Sequence, residues 1–334
     1  MNLPKKLYCR AFQLGLKIAL PFLPYRTPRV IGSIKALPQV IKKNRCGKAL
    51  LITDEGIRKL GLTRPLETAL EKAGILKVRK KLPLLIAVPT TAGTGSETTL
   101  AAVITDAKTR RKYAINDFPL IPRYAVLDPS VTLGLPPFLT ATTGMDALTH
   151  AVEAYIGNST TYGTRKDALL AVKLIFENID EAWENGRNVR ARRNMLRASF
   201  CAGCAFSKSY VGYVHAIAHS LGGEYNVPHG LANAVILPMM LEGYGKKIDR
   251  KLARLAIAAG LADEHTPCGE AAARFIREIK EMKKRFGIGD RIPEIQEKDI
   301  PRLARYADRE ANPLYPVPVL MDAGELEKFY HRLR

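Results

Sequence analysis

Nowhere in the 334 residues does an uninterrupted apolar stretch reach the roughly 20 residues that a bilayer-spanning helix needs, so a multi-pass membrane protein is excluded and no membrane span is expected. Low-complexity linkers and internal repeats are absent as well. With 47% hydrophobic and 25% charged residues, the composition is that of an ordinary soluble globular chain rather than a disordered one. Cysteines are few. Cys9, Cys46, Cys201, Cys204 and Cys268 form an odd set without a secreted spacing pattern, which points to a reducing compartment. Cys201 and Cys204 make a CxxC, but they lie among Ala, Gly and Phe in RASFCAGCAFSKSY and no second pair exists. Helix packing is therefore the expected role, rather than redox or zinc chemistry.

Acidic residues are missing from the first 53 positions, which hold eleven Lys or Arg and so about half of the formal net charge of +20. A charge of that size raises nucleic acid as a partner. Beyond the leading segment, however, the basic residues share helices with acids, as in IKEMKKRFGIGDR, the pattern of a solvated face; no nucleic-acid partner is expected. The opening MNLPKKLYCRAFQLGLKIALPFLPY resembles an amphipathic presequence, although Lys17 interrupts its apolar run and no small-residue cleavage site follows. An organelle transit peptide is the alternative to the reading adopted, an extension docked on the surface of a cytoplasmic protein.

KALLIT, residues 48 to 53, reads as a buried strand, followed by turn residues Asp54, Glu55 and Gly56 and by apolar positions at helical spacing through Ile75. LLIAV at 84 to 88, AAVIT at 101 to 105 and YAVLD at 124 to 128 supply further strands, which suggests an α/β unit with a largely parallel sheet. From Pro136 onward strand signals almost vanish. Helical patterns follow at 138 to 156, 165 to 183 and 188 to 208 and continue to the C-terminus. The length favours two domains, residues 1–130 and 131–334, packed directly with the functional site in the cleft between them.

Of six histidines, four fall in three short phrases that also carry an aspartate: GMDALTH with Asp146 and His150, VHAIAH with His215 and His219, and NVPHG with His229. A separation of four places Asp146 and His150 on one helical face, and His215 and His219 repeat the spacing. His229 follows a VP turn and opens the next helix. Three elements can thus converge on one ion, since imidazole nitrogen and carboxylate oxygen suit a divalent transition metal and one Asp with three His fill a tetrahedral site. Spacing alone leaves open which four of the five ligate, and one histidine could instead relay protons. Upstream, PTTAGTGSE from Pro89 to Glu97 follows a buried strand. Its Gly93 and Gly95 let the backbone approach a ligand closely, and the hydroxyls of Thr90, Thr91, Thr94 and Ser96 suit a nucleotide phosphate or ribose, though the loop is neither a GxGxxG nor a P-loop.

PTTAGTGSE, VITD with RRKY, LDPSVTLGLPP, GMDALTHAVEAY and HAIAHSLGGEYNVPHGLANAVILP, in that order, resemble the iron-containing alcohol dehydrogenases from Lys81 to the C-terminus, and ALLITDEG near residue 50 continues the likeness. The resemblance implies a dehydroquinate-synthase-like fold, in which an α/β N-terminal Rossmann-like domain binds NAD or NADP and an all-α C-terminal domain binds a divalent metal. Its implied chemistry is hydride transfer between a small alcohol or aldehyde and the nicotinamide, with Fe(2+) or Zn(2+) as the metal, in a homo-oligomer. Position by position, it implies Asp146, His150, His215 and His229 as metal ligands and His219 as the catalytic histidine that handles the proton. Thr90, Thr91, Thr94, Val103, Lys112 and Leu127 correspond to cofactor contacts, and Asp54 to the acid that meets the adenosine ribose and favours NAD over NADP.

One stretch departs from that family. Between Gly74 and Leu84 the chain has little more than LKVRKKLP, where relatives place a GGGS loop and its following helix; about two βα units are missing, on the order of sixty residues. The Rossmann-like domain is therefore expected to be incomplete, cofactor affinity severely reduced and metal binding retained. The alternative is a noncatalytic metal-binding or interaction protein derived from such an enzyme.

Overall fold

Eleven α-helices and five short strands make up the described residues, 1–46, 51–52, 84–105 and 112–334 of the computed structural model. Asp54, most of KALLIT, the helix read through Ile75 and LKVRKKLP lie outside them. The N-terminal helix α1 (Leu3–Ala19) precedes β1 (Arg29–Ile31) and α2 (Leu37–Lys43). Then come β2 (Ile86–Ala87), β3 (Ala101–Thr105), β4 (Lys112–Asn116) and β5 (Tyr124–Val126).

β5 is the central strand of a parallel sheet of order β1-β5-β2, with Tyr124 opposite both Arg29 and Ile86. Its three residues are all buried, as befits a parallel strand covered on both faces. Ile34, Leu37, Val126 and Val131 form a small core beside it. β3 and β4 pair separately, antiparallel, with Ala101 opposite Asn116. The sheet is thus parallel as expected, but AAVIT pairs outside it. Only residues 106–111 separate the two strands, far too few for a parallel crossover. β1 and β4 carry no periodic signal long enough to read, and LLIAV pairs only at Ile86–Ala87 before Pro89 intervenes. The partial Rossmann-like layer is thus small.

From Pro137 the described chain is helical: α3 (Pro137–Ile156), α4 (Tyr162–Glu184), α5 (Val189–Ser209), α6 (Tyr213–Tyr225), α7 (His229–Tyr244), α8 (Asp249–Ala258), α9 (Cys268–Arg285), α10 (Ile300–Ala311) and α11 (Ala323–Leu333). The first three fall where the sequence patterns place them. Side chains cap their ends. Asn188 accepts from two backbone N–H groups of α5, Thr161 and Thr164 form a capping box on α4, and Lys251 donates to the carbonyls of Ile156 and Gly157 at the C-terminus of α3.

α3 runs through the middle of the bundle, and every residue from Gly144 to Ile156 is buried. Small residues make this possible. A Cβ at Gly144 would stand 2.7 Å from Ile179 Cδ1 of α4. A helix enclosed on all sides should be apolar throughout, so Asp146, His150 and Glu153 within it require partners that offset their desolvation. The leading segment docks on the bundle as expected: Arg10 of α1 donates to the carbonyls of Val317 and Pro318, and Gln13 to that of Tyr315. Among the described residues no helix is long and apolar enough to cross a membrane.

Cys201 and Cys204 lie inside α5, and burial pushes the Cys201 thiol up to about 11 and that of Cys204 higher still. The thiolate is the reactive form, so both should be inert. With iodoacetamide at mildly alkaline pH, peptide mass spectrometry should find exposed Cys268 labelled and buried Cys9, Cys201 and Cys204 protected until the chain is denatured. Rapid native labelling of the CxxC pair would contradict its packing role.

Candidate metal centre

Asp146 and His150 project from α3, one turn apart. His215 comes from the first turn of α6, and His229 is the first residue of α7. Asn226 at the end of α6 takes the left-handed conformation (φ 57°), which turns the chain sharply into Val227 and Pro228 and so brings His229 back toward α3. One donor atom from each of the four residues lies within 4.8 Å of the other three. Asp146 Oδ1 stands 3.5 Å from His229 Nε2, 3.9 Å from His215 Nε2 and 4.0 Å from His150 Nδ1. Metal bonds of about 2.1 Å in a tetrahedron put donor atoms roughly 3.4 Å apart, so a small contraction suffices to hold an ion.

Protonation fits as well. Burial lowers the pKa of His150 and takes that of His215 well below the ordinary value, which keeps both imidazoles in the neutral form that ligates metals. Among the described residues, buried His150 Nδ1 has no hydrogen-bond partner. The amide nitrogen of Asn233 stands against three of the donor atoms, 2.6 Å from Asp146 Oδ1 and 3.2 and 3.1 Å from the Nε2 atoms of His215 and His229. Its two hydrogens cannot satisfy three acceptors at once. Donor atoms converging on one point, with the lone pair of His150 Nδ1 unmatched among the described residues, are what a cation site requires.

Glu153, which sequence reasoning missed, orients His215. Its Oε2 lies 2.6 Å from His215 Nδ1, leaving Nε2 to face Asp146, and the backbone N–H groups of Gly212 and Val214 donate to the same carboxylate. Burial pushes the Glu153 carboxyl up to about 7, and those backbone bonds oppose the shift. The residue could have been found, since it continues the helical stripe of Asp146 and His150. Asn233 is one turn beyond His229 by the same rule.

Of the two histidines left open by spacing, the geometry brings His215 into the four-donor cluster and leaves His219 beside it. His219 stacks on His229 with ring centroids 5.2 Å apart, while its Nδ1 lies 2.6 Å from Glu310 Oε1, which also accepts from the hydroxyl of Tyr315. Glu310 is on α10, and no local pattern in the sequence connects it to His219.

A cavity of about 750 Å³ opens over the cluster and extends to the PTTAGTGSE loop, lined by His150, His215, His219 and His229 at one end and by Thr94, Ser96 and Val103 at the other. Thr94 and Val103 are thus the expected cofactor positions that reach it. Thr90 and Thr91 are half-buried outside its lining, Leu127 is packed in the main core, and Lys112 sits in β4 opposite Thr105. The loop glycines approach helices rather than open space. A Cβ on Gly93 would stand 2.8 Å from Thr143 of α3, and one on Gly95, whose φ is +59°, 2.8 Å from Gly203 of α5. Glu97 turns inward, where both carboxylate oxygens lack hydrogen-bond partners among the described residues and burial pushes its carboxyl up to about 7.

A partial Rossmann-like layer set against a helical bundle, with one Asp and three His at the floor of the shared cavity, defines a metal-centre protein of two-part architecture. Comparison with known proteins narrows that class. The C-terminal model of the Fe-containing alcohol dehydrogenase family matches residues 140–333, and the model for iron-containing alcohol dehydrogenase matches residues 74–129. "Alcohol dehydrogenase 4" of Schizosaccharomyces pombe is 37% identical over 307 residues, covering 86% of this chain and 69% of the yeast protein. "1,3-propanediol dehydrogenase" of Citrobacter freundii is 41% identical over 242 residues, 72% of this chain, and the match spans only 62% of the bacterial protein. A crystal structure of a 1,3-propanediol oxidoreductase superposes with a TM-score of 0.86 at 29% identity, covering 93% of this chain and 98% of that one. The chain belongs to the iron-containing alcohol dehydrogenase family.

Replacing Glu153 by Gln should release His215 from its fixed orientation and lower metal affinity about 10- to 100-fold, the usual cost of losing an outer-shell carboxylate. Competition against a chelator measures this, with circular dichroism confirming the fold. Unchanged affinity would show that Glu153 does not hold the site.

Proposed function

We propose that the chain is a metal-dependent, NAD(P)-linked alcohol dehydrogenase acting on short primary alcohols or the corresponding aldehydes. The observation that carries this reading is the four-donor cluster of Asp146, His150, His215 and His229 opening on the same cavity as Thr94 and Val103. Fe(2+) or Zn(2+) held there would supply Lewis acidity toward the substrate oxygen, and the nicotinamide would take up the hydride.

The chain's own residues supply the rest. Asp146 and the three imidazoles offer one carboxylate oxygen and three nitrogens, a set compatible with either metal. Glu153 fixes His215, and the amide of Asn233 donates to Asp146. His219 has Nδ1 committed to Glu310, which leaves Nε2 to hold or pass the substrate proton. Phe206, stacked on His150 at 4.3 Å, and Leu100, Val211 and Leu314 line the cavity with apolar surface that excludes water and suits a small carbon chain. At the other end, Thr94 and Ser96 present hydroxyls to the nucleotide, and Asp54, Thr90, Thr91, Lys112 and Leu127 remain cofactor positions by family likeness alone. The names of relatives, among them "1,3-propanediol dehydrogenase" and "NAD-dependent methanol dehydrogenase", favour short substrates.

LKVRKKLP stands where relatives carry a phosphate-binding loop and helix. Backbone N–H donors and a helix N-terminus aimed at the pyrophosphate are lost with that loop, so cofactor affinity is severely reduced while metal binding is retained. The same departure favours the second reading, a noncatalytic metal-binding protein.

The purified chain, loaded with Fe(2+) or Zn(2+), should form NADH from short primary alcohols only at millimolar NAD, and a His215→Ala, His229→Ala double variant should lose both metal and turnover. Low-micromolar NADH binding by fluorescence titration would refute the affinity loss. Metal binding without NADH formation, even at millimolar NAD, would establish the noncatalytic reading, and a wild type holding no more metal than the double variant would remove the centre itself.

A further inference from the structure

Helix α1 is mounted with its apolar side outward. The positions turned to the bundle are Cys9, Gln13 and, just past the helix, Leu20, all buried; Cys9 joins the main core, and polar contacts fasten the helix beside it: Gln13 donates to the carbonyls of Pro313 and Tyr315, Arg10 to those of Val317 and Pro318, and Lys5 pairs with Asp308. On the other side Leu3, Leu7, Leu14 and Ile18 recur at intervals of four, seven and four, which on a helix of about 3.6 residues per turn collects them into one narrow stripe. These four side chains are 58% to 68% exposed, and Phe22, just past the helix, extends the stripe at 84%. Surface helices of water-soluble proteins turn such a stripe to the core. Scattered exposed apolar residues are ordinary, but an aligned run of them marks a surface with a partner.

Charge selects the partner. Lys6 and Lys17 flank the stripe, both exposed and neither in an ion pair among the described residues, and the first 53 residues contain no acid at all. Two copies of this face brought together would set lysine against lysine. An anionic lipid surface meets both halves of the pattern, taking the leucines, Ile18 and Phe22 into the boundary between headgroups and acyl chains while its phosphates pair with the lysines.

We propose that α1 is an in-plane anchor that attaches the folded chain reversibly to an anionic bilayer surface. It is too short and too charged to span. The polar contacts to residues 308–318 fix the orientation of the helix, so the body of the protein rides above the membrane, with no crossing helix among the described residues.

Sedimentation of the full chain with vesicles tests this. Vesicles of phosphatidylcholine mixed with phosphatidylglycerol should carry the wild type down, whereas pure phosphatidylcholine or high salt should release most of it. A Leu7→Gln, Leu14→Gln, Ile18→Gln variant should lose on the order of tenfold or more in partitioning with metal content and circular dichroism unchanged, and Lys6→Glu, Lys17→Glu should weaken binding to the mixed vesicles to a similar degree. Failure of the wild type to sediment with mixed vesicles overturns the proposal, as does equal sedimentation of the triple variant. A light-scattering dimer that the triple variant converts to monomer, without vesicle binding, would instead make the stripe a self-association surface.

Discussion

The structure depends on a carboxylate placed where a carboxylate is costly. Asp146 lies midway along α3, a helix enclosed on every side, and no lysine or arginine pairs with it among the described residues. Removing such a charge from water costs several kcal/mol even after relaxation unless a counter-charge and hydrogen bonds offset it. The neighbours offered to it are two imidazoles that burial keeps neutral, those of His150 and His215, together with His229 and the amide of Asn233, a donor set suited to a cation. The rest follows from the need to surround that point: small residues that let α4 close on α3, a left-handed Asn226 that returns the chain, and Glu153 turning His215 toward it.

The helical bundle and the strand layer share the work unequally. All four donors belong to helices, and so do His219 and Glu310, so the cluster does not rely on the described strands. What the strand layer contributes is the loop from Pro89 to Glu97, which close glycine contacts press onto α3 and α5. With Gly93 and Gly95 seated there, Glu97 points into the protein while Thr94 and Ser96 remain exposed at the cavity. The loop therefore joins the two parts of the fold and lines the cavity with the same few residues.

Much of this was legible from spacing. Intervals of four in GMDALTH and VHAIAH survive because helical geometry is local, and the patterns from 138 to 208 coincide with α3, α4 and α5. Other features left no local trace. β1 is three residues long, and the pairing of β3 with β4 depends on the shortness of the connection more than on strand pattern. Gly93 and Gly95 signal a close approach without saying to what, and α3 and α5 are the protein neighbours they meet. Glu310 meets His219 across 91 residues of chain, a distance that no periodicity spans. Glu153 is different: it stood on the same stripe as the aspartate and histidine and needed only the question of what orients a ligating imidazole.

Crystals grown with Fe(2+) or Zn(2+) and measured on either side of the metal's absorption edge test the centre most directly. One strong anomalous peak is expected, about 2.0–2.2 Å from Asp146 and from a nitrogen of each of His150, His215 and His229, with His219 outside bonding distance. A peak at Cys201 and Cys204, one ligated by His219 in place of His215, or none at all from a metal-saturated chain would contradict the assignment of that cluster as the protein's metal centre.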